Sequence, residues 1–110
     1  MVLKLKCIIM SHFFKDMRQD KKLLDLFKDV MTEFGETPRI LPDDEADGST
    51  DVGNVSYEVP TAQPTLQIGL GLEAHTPEFT CAAGSDYGLA QAIKGAKIMA
   101  VVALRYAMCK

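Results

Sequence analysis

Two short segments hold the side chains of this 110-residue chain best equipped for chemistry. The first is Ala74-His75-Thr76-Pro77-Glu78-Phe79. A neutral imidazole is a good ligand for a divalent metal, and a stiff turn at the end of an extended run fixes its direction. Thr76-Pro77 supplies the turn, and Glu78 adds a carboxylate three residues on. Taken alone, a single histidine is more often a satisfied surface residue than a ligand. The second segment is Gly48-Ser49-Thr50-Asp51-Val52-Gly53-Asn54-Val55-Ser56. Small hydroxyl residues beside glycine expose backbone N–H groups and hydroxyl oxygens, which suits a carboxylate or a developing oxyanion. The same composition also builds a turn that satisfies its own backbone.

The remaining chemistry-bearing residues add little. His12 is the other histidine and belongs to no recognisable pattern. Cys7, Cys81 and Cys109 are odd in number and widely spaced, so neither a disulfide framework nor a thiolate zinc site is expected. Asp43, Asp44, Glu45 and Asp47 lack the alternating ligands and closing glutamate of a calcium loop and read as a solvated turn. No nucleophile elbow, P-loop or dinucleotide fingerprint is present. A catalytic zinc takes about three protein ligands and a base to activate its water. This chain supplies part of such a set, and no residue is assigned a catalytic role.

The elements that must position these segments follow from periodicity. Val2 to Met10 alternates apolar and lysine positions, as a half-buried strand does. Asp20 is placed to cap a helix carrying Leu23, Leu26, Phe27, Val30, Met31 and Phe34 on one face, and Gly35 to end it in a left-handed conformation. Pro38 to Pro42 brackets a possible brief strand. A second strand is expected over 61–73, with Leu66, Ile68, Leu70 and Leu72 on one face. Gly69 and Gly71 on the other admit either a ligand or a tightly packed helix. From Ser85 or Asp86 a long helix begins whose second half is apolar nearly all round, which implies burial. Strand, helix, strand, helix indicates an α/β class: a small layered sheet of mixed strands packed by two main helices, in one domain over residues 1–110.

Composition narrows the function classes. Hydrophobic content of 47% and charged content of 25% are those of an ordinary globular chain. A net charge of -3 gives no basic footprint, so neither nucleic acid nor an anionic membrane is an expected partner. Ile98 to Leu104 is too short a run to cross a bilayer before Arg105 interrupts it, and Met1 to Phe14 lacks the cleavage site of a signal peptide. A cytoplasmic protein is expected, in which the glycosylation pattern Asn54-Val55-Ser56 carries no meaning.

Taken together, the two segments resemble the closing part of the catalytic domain in the zinc aminoacylase and carboxypeptidase family, in particular its aminobenzoyl-glutamate utilisation branch. The likeness runs from about Phe14 to near the C-terminus and extends through Tyr57-Glu58-Val59-Pro60-Thr61. It implies a piece of a larger phosphorylase/hydrolase-like domain that hydrolyses N-acyl amino acids or dipeptide-like substrates with zinc or manganese. It implies that His75 is the last metal ligand and Glu78 its nearby acid, and that Gly48, Ser49, Thr50 and Asp51 line the substrate side of the cleft. The family's other ligands and its general base lie in motifs this sequence lacks. The chain alone is therefore expected to be inactive and need not bind a metal. A stand-alone binding or self-association module is the alternative. A homo-oligomer is expected, formed by strand pairing or exchange of an end element.

Overall fold

The computed structural model describes residues 15–41 and 48–109, which form four helices: α1 Lys21–Glu33, α2 Val52–Val55, α3 Pro77–Ala83 and α4 Asp86–Met108. The strand expected at Val2 to Met10, together with Cys7, His12 and the acidic run 43–47, lies outside the described residues.

α1 forms where the helical period places it. The Asp20 carboxylate accepts from the Leu23 N–H at 2.8 Å, satisfying a donor that a helix start leaves open. At the far end Gly35 adopts φ +84°. The Glu36 N–H then donates to the Met31 carbonyl and the Gly35 N–H to the Thr32 carbonyl, each at 3.0 Å. That pair of bonds is a Schellman stop, open to glycine because it has no Cβ. α4 begins in the same manner: Ser85 Oγ accepts from the Gly88 N–H at 3.0 Å.

α1 packs on α4. Val30 and Met31 meet Ile98 and Val102 as the buried core, and Leu23, Leu26, Phe27, Phe34, Leu66 and Val101 close around them. Charge pairs flank this contact. Both terminal nitrogens of Arg105 donate to the two Glu33 oxygens, at 2.6 and 2.8 Å, and Lys94 Nζ lies 2.6 Å from a Glu36 oxygen. These ammonium and guanidinium partners hold both glutamates below the usual carboxylate range.

Three expectations are corrected. No strand or sheet forms among the described residues, so the layered α/β architecture gives way to a helical one. A strand needs a neighbour for its ladder, and residues 61–73 find two glutamine side chains and the N-cap of α1 instead. The Thr61 carbonyl accepts from the Asp20 N–H at 2.8 Å, the Gln63 N–H donates to Gln19 Oε1 at 3.2 Å, and the Gln67 carbonyl accepts from Gln91 Nε2 at 2.9 Å. The segment is a strap laid across the helices. Its alternation fails at Gly71, where φ +64° turns the chain and leaves Leu70 87% exposed. Pro38 to Leu41 is likewise irregular.

The second correction concerns α4. Its nearly all-round apolarity suggested burial, yet Ile93, Met99 and Leu104 are 59%, 59% and 65% exposed. Helix α1, with 13 residues, and the 7-residue α3 are its partner helices, and they leave one side uncovered. The third follows from the same helix. Taken whole, its 23 residues are long and apolar enough, with mean hydropathy 1.2 over the most apolar stretch, to span a bilayer by length and composition. Lys94 and Arg105 within it are paired with α1 carboxylates, which binds this face of the helix to protein.

Candidate functional site

His75 stands out on the backbone before its side chain is considered. Among the described residues it is the one non-glycine position in the left-handed region, at φ +66°. Histidine visits that region more readily than bulky residues, but the conformation still carries a cost for an L-residue. Local bonds impose it. Thr76 Oγ1 donates to the Glu73 carbonyl at 2.7 Å and accepts from the Phe79 N–H at 3.3 Å. Thr76 is thereby the N-cap of α3, with Pro77 at the first helical position and Glu78 in the first turn. His75 and Glu78 are both solvent-exposed. The turn read from Thr76-Pro77 is present, and it presents the imidazole outward from a fixed backbone.

The loop at Gly48 is built differently. Gly48 has φ +135°, Ser49 is exposed, and Thr50 Oγ1 accepts from the Val52 N–H at 3.2 Å. Asp51 stands at the N-cap of α2 and makes no side-chain capping bond. The loop therefore spends one hydroxyl on its own backbone and leaves Ser49 and Asp51 facing water. The helix pairs in contact are α1 with α4 and α3 with α4. Helix packing thus links the element after His75 to α4, and does not bring the Gly48–Asp51 loop, which leads into α2, to His75.

The second half of that loop holds a contact that the sequence reading missed. Asn54 Oδ1 accepts from the Lys15 N–H at 2.7 Å and Ser56 Oγ from the Arg18 N–H at 3.0 Å. Gly53 admits this approach because a Cβ there would lie 2.1 Å from the Lys15 carbonyl oxygen. Tyr57 completes the junction. Its ring takes Lys15 Nζ at 4.5 Å and the Arg18 guanidinium at 3.9 Å, and its hydroxyl donates to Asp16. That bond lowers the Asp16 pKa and raises the Tyr57 pKa. The partners lie about forty positions apart in the chain, beyond the reach of local pattern. Buried Gln91, which ties the strap to α4, was missed for the same reason.

No set of three or more His, Cys, Asp or Glu side chains able to hold a metal ion occurs among the described residues. His75 is one ligand-type group. The residues present do not by themselves fit a catalytic zinc, which needs two further ligands and a base. Cys81 and Cys109 are free and exposed.

Comparison with known proteins bears on this partial site. The Xaa-Arg dipeptidases of Mus musculus and Homo sapiens are each 44% identical to the chain over 57 residues. That stretch is 52% of this chain and 13% of either dipeptidase, so the chain spans a small part of the curated relatives it matches. The match supports kinship with a peptidase-like domain, of which this chain resembles a fragment. No protein-family model matches the chain. No solved structure matches it either.

Proposed function

We propose that this chain is part of the catalytic domain of a metal-dependent amidohydrolase or dipeptidase, carrying one metal ligand and one wall of the substrate cleft. The whole domain would cleave the amide bond of an N-acyl amino acid or a dipeptide-like substrate. His75 is the ligand in this reading, and Gly48, Ser49, Thr50 and Asp51 are the substrate-facing loop. The observation that carries it is the coincidence at His75. The residue that the family resemblance marks as a metal ligand is also the one non-glycine residue held in a left-handed backbone among those described. Strained positions cluster at functional sites, where the surrounding structure fixes them.

In this reading the metal is zinc or manganese, the protein is cytoplasmic, and the domain is of the aminobenzoyl-glutamate utilisation branch. The chain alone performs no hydrolysis, because one ligand does not retain a metal with an activatable water. Purified protein is to be assayed with N-acyl amino acids and dipeptides in the presence of zinc, manganese or cobalt. No turnover is expected. Metal-dependent turnover that disappears in His75→Ala would show that the chain completes a site by itself and would overturn the fragment reading.

A second reading, a stand-alone self-association module, is favoured by one feature. The outward side of α4 leaves large apolar side chains in water.

A further inference from the structure

The outward side of α4 is opposite the Ile98 and Val102 face that packs on α1. It carries Leu89, Ala92, Ile93, Ala96, Ala100, Ala103, Leu104 and Ala107, with the exposed Lys97 at its edge beside Ile93 and Leu104. Leu89, Ile93 and Leu104 are 55%, 59% and 65% exposed. Along its centre, Leu89, Ile93, Ala96, Ala100, Ala103 and Ala107 follow spacings of four, three, four, three and four. That is the repeat by which one helix packs along another. The order of those steps reads the same in both directions.

We propose that this face binds a second copy of the chain, α4 against α4, antiparallel about a two-fold axis beside residue 98. That axis sets the layers without further choice. Leu89 shares a layer with Ala107 of the second copy, Ile93 with Ala103, Ala92 with Leu104, and Ala96 with Ala100. Every large residue meets an alanine, and the centre is alanine on both sides. Small central residues let the helix axes approach closely, while the outer leucines and isoleucine fill the space at the ends. A parallel pair would stack Ile93 on Ile93 and Ala100 on Ala100, leaving the width uneven along the contact.

Charge agrees with the same register. The two helix dipoles run head to tail. A contact that is the same patch on both copies closes on itself and stops at two. The inference deepens the self-association reading and draws on nothing proposed for His75. It takes a route other than strand pairing: the described residues hold no strand, and the strand expected at Val2 to Met10 lies outside them.

Sedimentation equilibrium and size-exclusion with light scattering, across a wide range of protein concentration, test the state. A concentration-dependent dimer is expected, and far-UV circular dichroism verifies that each variant keeps its helices. Ala103→Ile places isoleucine against Ile93 in both symmetric layers and is expected to weaken the dimer by at least about tenfold, as overpacking does. Ile93→Ala with Ala103→Ile exchanges the large and small positions, and is expected to recover most of that loss. Ala100→Glu buries two carboxylates at the centre and should give a monomer. A monomer at high micromolar concentration would overturn the proposal. So would a dimer indifferent to Ala103→Ile and Ala100→Glu, or recovery that fails in a well-folded double variant. Co-sedimentation with phosphatidylcholine vesicles, in place of dimer formation, would assign the face to lipid and overturn it as well.

Discussion

Replacing His75 with glycine should make this protein more stable. At φ +66° the His75 Cβ crowds its own backbone, and the left-handed conformation costs an L-residue about 1–2 kcal/mol. The side chain is exposed, and among the described residues no hydrogen bond to its ring offsets that cost. Glycine removes the steric cost and gives back about 0.4–1 kcal/mol through the freer unfolded chain. The net expectation for His75→Gly is a gain of about 0.5–1 kcal/mol, a rise in Tm of roughly 2–6 °C for a domain of this size. His75→Ala keeps the Cβ and should leave Tm nearly unchanged. His75→Val adds a branched side chain to the same backbone and should lower it. Thermal and urea unfolding followed at the helical circular-dichroism band separates the three. A fall in Tm for His75→Gly, or equal effects of glycine and alanine, would refute the left-handed turn and the argument that histidine is kept there at a cost in stability.

Other consequences are equally direct. Gly88 and Gly95 both lie inside α4, where alanine ordinarily stabilises by about 0.5–1 kcal/mol. A Cβ at Gly88 would lie 2.3 Å from the Ala82 carbonyl oxygen, whereas one at Gly95 meets only the tip of Leu66 at 3.1 Å. Gly88→Ala should therefore destabilise, by about 1–2 kcal/mol after the propensity gain is subtracted, and Gly95→Ala should stabilise; denaturant midpoints with the same sign for both would contradict the α3–α4 contact. Glu36 is held below the usual carboxylate range by Lys94, so its contribution is complete above its unfolded pKa and is lost as pH falls through the folded one. Unfolding midpoints should hold steady from neutral pH down to the ordinary glutamate range, fall below it, and fall less steeply in Lys94→Met. Tyr57 titrates with the opposite sign: its hydroxyl bond to Asp16 persists below the ordinary tyrosine pKa and is lost as pH rises through the raised one, so Tyr57→Phe should remove an alkaline decline.

What the sequence reveals and what it hides divide along range. α1 was legible to its last residues because its signals are local: the Asp20 cap, the apolar stripe and Gly35 act within a few positions of one another. α4 and its Ser85–Asp86 start were legible for the same reason, and so was the stiff turn at Thr76-Pro77. The 61–73 strap was misread because alternation reports only that one side of a chain is apolar. Whether a strand follows depends on a partner that supplies the other half of the ladder. Here Gln91 and Asp20 take that role, and neither has a local signature. All-round apolarity in α4 was read as burial when it reports the absence of charge. At the candidate site the residue types were legible, but not their arrangement. The Asn54, Ser56 and Tyr57 side chains serve the junction with residues 15–18, which no spacing in the sequence announces.

His75 and the Gly48–Asp51 loop are proposed to belong to a peptidase site that the rest of such a domain completes. Residues 48–108 of this chain can be grafted into the Mus musculus Xaa-Arg dipeptidase in place of the corresponding stretch. A folded chimaera is expected that binds a divalent metal and hydrolyses dipeptides, that loses both metal and turnover in His75→Ala, and that loses substrate affinity but not metal in Asp51→Ala. A folded chimaera whose metal content and turnover are unchanged by His75→Ala would contradict it.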